Sequence, residues 1–525
     1  MTQGAAGLTI LNNAISLTQD DGAEIRAAAT SEGHLEVAIH APRGPFGSIM
    51  VESHTPVFQS DACYGVNSGQ VQTTTSGTGT ATASDGCFVV TTGTTIYSQG
   101  ILQSRKRLRY RPGQGVIGRF TAAFTTGVAS SYQVAGFGHA EDGIYVGYYG
   151  TSFGILYSNR GVREVRTLTI TTASSHSENV TVTLNGTANT IAVTNSANIQ
   201  RTVWELAQGT YTGWDAYPVG ATVVFVRKSA GTASGSYSIS GTSVIGSFAQ
   251  TKAGAAATES FTAQASWNGD KLDGTGASGV TIDPTKLNVY QMDIQYLGAG
   301  AITVKAEVCG ASQNNPDFVV LHTIKLPNTL TTTSFRNPAF PFTVAAYSAG
   351  STTDLTIKIG SFAGFIEGNK HLHGNRFSYI NTSTVVGSGS YVPLFTVQNA
   401  RYYQGTTNQS VINLISVSGA LKHTSPCIFY VIKNGSLTGN PNFSSYSTTS
   451  CSLVDTAATA VTFSTNDQLV WTGHLGDTGE IDHHFNGGGA EEFTLQPGEW
   501  ITLAARSVTG TPSYVTGSIN TREDQ

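Results

Sequence analysis

Charge is scarce in these 525 residues: Asp, Glu, Lys and Arg together make up 12%, against roughly 25% in ordinary soluble domains. Lys+Arg number 28 and Asp+Glu 33, a net charge of −5. With no excess of positive charge to displace counterions, a bulk electrostatic binder of nucleic acid is excluded. Long apolar runs are absent too. None approaches the roughly 18 residues that would span a bilayer, so membrane insertion is not expected. The start, Met1-Thr2-Gln3-Gly4-Ala5-Ala6, has neither a basic region nor an apolar one of the kind a secretory signal carries, which points to synthesis in a cytoplasm. Cysteine is rare, at Cys63, Cys87, Cys309, Cys427 and Cys451, with no CxxC and no His/Cys spacing for zinc. Cys63/Cys87 and Cys427/Cys451 could each lie on neighbouring strands, but free buried thiols are the expectation for a cytoplasmic product. Methionine occurs only three times. What is abundant is Gly (60), with Tyr (21) and Phe (23) spread along the chain and 39% hydrophobic residues overall. That mixture rules out disorder and an all-helical protein, and favours strands and turns.

The period of the apolar residues places the elements. One early helix is expected over Asp21 to Ala29, then a strand over Leu35 to His40 and an extended Ala41–Gly47 segment holding Pro42 and Pro45. Residues 72–86 are polar and of low complexity, suited to a loop or edge hairpin. From Gly118 onward, short alternating runs separated by Gly-containing turns repeat every 8–12 residues or so, the rhythm of a sandwich or jelly roll. Val180–Leu184, an Asn185-Gly186 turn and Ile191–Val193 form a hairpin, and Thr202–Gln208 is the best internal helix. The reading is all-β: tandem β-sandwich or jelly-roll domains with a small α+β insertion and an extended N-terminal arm. Its divisions are an arm and attachment region over 1–110, a lectin-like jelly roll over 111–175 with 263–370, the inserted module over 176–262, and a C-terminal sandwich over 375–525, with a linker near Glu367–Lys370 and a core of its own.

EGHLEVAIHAPRGPFGS (32–48), TPVFQSDACYGVNSGQV (55–71), SRKRLRYRPGQG (104–115), KLNVYQMDIQYLGAGAI (286–302) and the closing SINTREDQ (518–525) resemble a family of virion structural proteins of tailed phages and large double-stranded DNA viruses of aquatic hosts. The resemblance runs over most of the chain. It implies an all-β, surface-located, non-enzymatic part of the particle. Thr521 stands where the family would be expected to carry Trp.

Residues able to do chemistry are few. His139-Ala140-Glu141-Asp142, Glu480-Ile481-Asp482-His483-His484 and His371-Leu372-His373 use metal-ligand and acid/base residue types, but none has HExxH spacing, and solvated loops are expected. Asn268–Gly274 has carboxylates without the spacing or closing Glu of a calcium loop. No GxSxG occurs, and Gly113–Gly118 matches GxGxxG without a following helix signal. Neither a catalytic residue nor a cofactor or metal site is expected. A glycan hydrolase would need two carboxylates across a cleft, and the sequence names no such pair.

The basic run Arg105, Lys106, Arg107, Arg109 and Arg111 puts 107, 109 and 111 on one strand face, with Leu108 and Tyr110 on the other. Given the resemblance, it reads as a docking stripe for an acidic surface of a neighbouring virion protein, set against a merely solvated face, with packaged DNA as the runner-up partner. The leading function is thus a virion protein, such as a tail-fibre or baseplate appendage or a capsid-surface protein, docked through its arm. A homo-oligomer is expected, with a trimer favoured by analogy to virion appendages. The alternative is a carbohydrate-binding host-attachment protein, with Tyr148, Tyr149, Trp204 and Trp214 as rings that could stack on sugars.

Overall fold

The computed structural model describes residues 54–309, 317–368, 374–421, 425–463, 468–476, 479–485, 493–509 and 511–524, together with the strands Thr9–Leu11, Ala14–Thr18, Glu24–Ala29 and Leu35–Glu36. The chain divides into two units, 1–53 and 54–525.

In the first unit the four strands form an antiparallel meander, with Ile10 opposite Ile15 and Leu17 opposite Ile25. The helix expected over Asp21–Ala29 is a strand at Glu24–Ala29. Its alanines favour a helix, but pairing with Ala14–Thr18 satisfies the same backbone groups, and tertiary pairing overrides so weak a preference. Residues 37–40 of the expected Leu35–His40 strand lie outside the described residues.

The second unit begins with a two-sheet sandwich. One sheet runs in the order Asp317–Ile324, Ile302–Val308, Asn288–Ile294, Val116–Phe124, Thr356–Glu367, Cys87–Thr91 and Thr80–Ser84, with His54–Asp61 also pairing onto Thr356–Glu367. The facing sheet runs Thr258–Ala263, Ser152–Asn159, Gly143–Tyr149, Ser131–Gly138, Phe342–Ser348, Gln99–Ser104 and Val71–Ser76. Residues 54–104 are therefore strands of both sheets rather than an arm. Nor is the polar tract 72–86 a simple loop: Val71–Ser76 and Thr80–Ser84 close one edge of each sheet, and short polar edge strands of this kind resist pairing with other chains. Aromatic rings fill the space between the sheets. Phe342 stacks on Phe362 at 4.3 Å, and Phe120 lies 5.3 Å from Phe342. Gly118 belongs here because a Cβ would sit 2.1 Å from the Phe137 ring.

The insertion leaves this sandwich after Ser152–Asn159 and rejoins it at Thr258–Ala263, which pair with each other. It holds a four-stranded sheet, a three-stranded sheet and the helix Ile199–Ala207, whose first turn is capped by Asn198 Oδ1 accepting from Gln200 N–H at 2.8 Å. The hairpin turn forms as its sequence requires, with Asn185 and Gly186 both at positive φ, 51° and 80°.

A second sandwich closes the chain. Its five-stranded sheet contains Asn375–Val386, Ser513–Asp524, Val411–Leu421 and Gly479–His484 with Thr494–Leu495. The six-stranded sheet contains Val392–Asn399, Trp500–Ser507 and Cys427–Lys433 at its centre. Tyr379, Phe395, Phe429, Leu503 and Ile519 form its core. A separate apolar cluster joins Val165, Trp204 and Val226 of the insertion to Tyr430, Ile432 and Phe443 of this sandwich. Among the described residues no helix is long and apolar enough to cross a membrane. The five cysteines are free thiols; Cys427 and Cys451 are buried, whereas Cys63 and Cys309 are exposed, contrary to the expectation of burial.

Candidate functional site

Strand alternation decides where the basic stripe points. Leu108–Arg109 pairs with Ala339–Phe340. Leu108 and Tyr110 are buried, and Tyr110 Oη accepts from Leu297 N–H at 3.0 Å. Arg107, Arg109 and Arg111 take the opposite face. That face is turned towards the last strand of the C-terminal sandwich, where Asp524 Oδ2 lies 3.5 Å from Arg109 Nη1 and 2.8 Å from Arg111 Nη2. The expected docking stripe is thus directed inward at its three alternating arginines, because a second sandwich folds over it. Lys106 is exposed, and Arg105 Nε donates to the Ser68 carbonyl at 2.5 Å.

Between the two sandwiches lies a cavity of about 60 Å³ whose lining includes Lys106, Arg107, Arg109, Arg111, Gln496 and Asp524. The Nη1 atoms of Arg107, Arg109 and Arg111 are shielded from solvent and lack hydrogen-bond partners. Burial, and then the neighbouring Arg163, push the Arg107 guanidinium down to about 10, opposed by Glu141.

The cluster expected to be a solvated loop, His139 to Asp142, is a turn, but a buried one: His139, Glu141 and Asp142 are 4%, 4% and 0% exposed. The Asp142 carboxylate accepts from the N–H groups of Arg160 (2.8 Å), Arg336 (3.2 Å) and Asn337 (2.9 Å), holding three chain segments together. Burial nevertheless raises its pKa. His139 Nε2 lies 3.2 Å from the Asn337 carbonyl and donates to it, while Nδ1 accepts from Glu141 N–H at 3.2 Å. Both nitrogens of a neutral ring are thereby satisfied. Burial, then Arg107 and Arg163, hold this imidazole well below the ordinary value of 6.5.

A pH effect follows. As pH falls through about 6.5 the unfolded chain gains a proton that folded His139 refuses, so its contribution to stability is present above that pH and lost below it. Stability should fall by up to about 1.4 kcal/mol per pH unit from this group. Urea midpoints for wild type and His139→Gln across pH 7 to pH 5 test this; the variant should show a shallower decline, and identical slopes would refute it.

The four candidate sugar-stacking rings separate in the same way. Tyr148 is buried against Phe153 at 5.2 Å, Trp214 lies in the insertion core edge-on to Tyr237 at 6.0 Å, and Trp204 stacks on Phe443 at 5.7 Å. None of the three is available at the surface. Tyr149, the next residue along the strand from Tyr148, faces outward at 38% exposure. Pairing brings further rings to it: Tyr132 lies opposite both Tyr149 and Tyr347, with centroids at 4.6 and 6.0 Å, and Phe261 is 5.4 Å from Tyr149. The sequence shows that each of these rings belongs to an alternating strand, but not that the strands are neighbours.

Elsewhere the polar groups serve structure. Glu480–His484 is a strand, not a loop, with His484 Nε2 2.9 Å from Asp482 Oδ2 on an exposed face. Asp270 accepts from Leu272 and Ser278 N–H at 2.9 and 2.7 Å, and Asp273 from Thr275 N–H at 2.9 Å, so these carboxylates brace their own turns. The Gly113–Gly118 motif runs into the strand Val116–Phe124 rather than a helix. His371–His373 lie outside the described residues. Among the described residues no group of three or more His, Cys, Asp or Glu side chains could hold a metal ion.

No family model and no curated protein matches the chain. Among solved structures, it is similar to one described as "The Triple Jelly Roll Fold and Turret Assembly in an Archaeal Virus", with 9% identity and TM-score 0.16 over 86% of this chain and 89% of that one. The Faustovirus major capsid protein matches at 8% identity and TM-score 0.10, covering 90% of this chain and 92% of that one. The infectious bursal disease virus VP2 subviral particle matches at 8% identity and TM-score 0.11, covering 79% and 83%. At these scores the likenesses carry no argument about this chain, and its all-β architecture rests on its own strands.

Proposed function

We propose that the protein is a non-enzymatic structural component on the exterior of a virus particle, of the tail-fibre, baseplate or capsid-surface kind, made in the host cytoplasm. It docks to neighbouring virion proteins through its N-terminal unit and assembles as a homo-oligomer, with a trimer favoured. The observation that carries this reading is the sequence resemblance to virion structural proteins. The placement of the resembling segments supports it: 286–302 spans the interior strand Asn288–Ile294, 104–115 contributes to the lining between the sandwiches, and 518–525 contains most of the last strand. These three segments are spread over both sandwiches rather than confined to one loop.

Purified particles provide the test. The chain should be present in them by mass spectrometry, and antibodies against residues 54–525 should label the exterior; its absence from particles would end the proposal. A chain beginning at His54 should unfold cooperatively, because the division at 53/54 leaves both sandwiches whole, yet fail to incorporate. Normal incorporation of that chain would move the docking contacts into the sandwiches.

A second reading, host attachment through carbohydrate, is favoured by the surface row of Tyr149, Tyr132, Tyr347 and Phe261. Rings on a rigid sheet suit stacking against a sugar face. Glycan-array binding that is lost in Tyr149→Ala would support it, and silence across the array would remove it.

A further inference from the structure

We propose that the cavity between the two sandwiches is a binding site for a small oxyanion of inorganic phosphate size, held by Arg107, Arg109 and Arg111. The charge lining this cavity is unbalanced. Four of the lining residues, Lys106 and the three arginines, are cationic, and one, Asp524, is anionic. Asp524 Oδ2 already engages Arg109 through Nη1 and Arg111 through Nη2, yet the shielded Nη1 atoms of Arg107 and Arg111 remain without a hydrogen-bond partner. Buried guanidinium donors left unmatched are costly, and a planar fork of N–H groups is suited to oxyanions. Arg163 and Arg401, which also act on Arg107, are paired with Glu141 at 3.8 Å and Asp215 at 3.6 Å, so the uncompensated charge is that of Arg107 itself.

Size limits the occupant. A water needs roughly 10–15 Å³ of such space, so a cavity of about 60 Å³ takes a handful of waters or one phosphate-sized ion. The lining also tells what the anion would do. Lys106 and the arginines belong to the first sandwich, and Asn413, Gln496 and Asp524 to the second, so the ion joins two bodies and couples its binding to their association. A ligand bound only by the joined form raises its stability in proportion to ligand concentration.

Isothermal titration of the full chain with sodium phosphate, against sodium chloride at matched ionic strength, tests the proposal. Saturable binding at a single site and a melting temperature that rises with phosphate are expected. Sulfate should compete, while acetate should bind more weakly because it offers fewer acceptor oxygens. Arg107→Gln should weaken phosphate binding by about tenfold or more. Asp524→Asn removes the one carboxylate in the lining and should tighten binding, although it breaks two ion pairs and lowers stability without phosphate. A purely structural role for this cluster would not move affinity in that opposite direction. The absence of saturable binding by the wild-type chain overturns the site, as does unchanged affinity in folded Arg107→Gln or weaker binding in folded Asp524→Asn.

Discussion

Replacing Trp204 by Ala should lower the stability of the chain by about 3–5 kcal/mol, the range for truncating a large buried aromatic side chain. Trp204 is 4% exposed on the helix Ile199–Ala207. It stacks on Phe443 at 5.7 Å with an interplanar angle of 21°, and meets Trp500 edge-on at 6.3 Å. Both partners belong to the C-terminal sandwich, so the substitution opens a cavity in the cluster that fastens the insertion to it. The hydrophobic core of the sandwich, built on Phe395, Phe429 and Leu503, stays intact. Urea unfolding should therefore show the insertion released at lower denaturant than the sandwich, whereas the wild type loses both together. A loss below about 1 kcal/mol, or an undivided transition, would show that the cluster contributes little to the join.

The second large effect is expected at Glu523. This carboxylate is fully buried on the last strand. It accepts from Cys451 N–H at 2.9 Å and Ser450 Oγ at 2.5 Å, and from Ser452 Oγ, which itself accepts from Tyr379 Oη at 2.7 Å. Glu523→Leu fits apolar bulk into the same space but leaves a backbone N–H and two hydroxyls without their acceptor. At about 1–3 kcal/mol for each buried polar group so abandoned, a loss of about 3 kcal/mol or more is expected. Glu523→Gln, which keeps one acceptor oxygen, should fall between wild type and Leu. Denaturant midpoints rank the three. A Leu variant as stable as wild type would mean that the network relaxes onto water or other partners.

The consequence of Glu523 for the fold lies in its neighbour. Asp524, one residue on, faces the opposite way and pairs with Arg109 and Arg111. One strand end thus anchors its own sandwich with one side chain and the first sandwich with the next. The closing segment carries part of the sequence resemblance, and Thr521, where Trp was expected, is buried on the same strand at 1% exposure. A side chain the size of Trp has no room there without displacing its neighbours.

Local pattern determined a good deal. Period-2 alternation and Gly-rich turns specify strands, and the observed class is all-β. Asn185-Gly186 specifies its hairpin because both residues accept positive φ. The apolar spacing around Trp204 specifies a helix, which runs Ile199–Ala207. Alternation also separates Tyr148 from Tyr149, and Leu108 from Arg109, since successive side chains leave opposite faces. What each face meets was decided only by tertiary structure. A charged face reads as solvated or docking until a second sandwich folds over it. A His-Glu-Asp turn reads as solvated until Arg160, Arg336 and Asn337 bring their N–H groups to Asp142. The pairing of Tyr132 with Tyr149 and Tyr347, the seat of Trp204 against Phe443, and the meeting of Arg111 with Asp524, 413 residues away, depend on contacts between strands far apart in the chain. A periodic sequence fixes which side of a strand is apolar, but the partner of each side is chosen by the packing of the whole molecule.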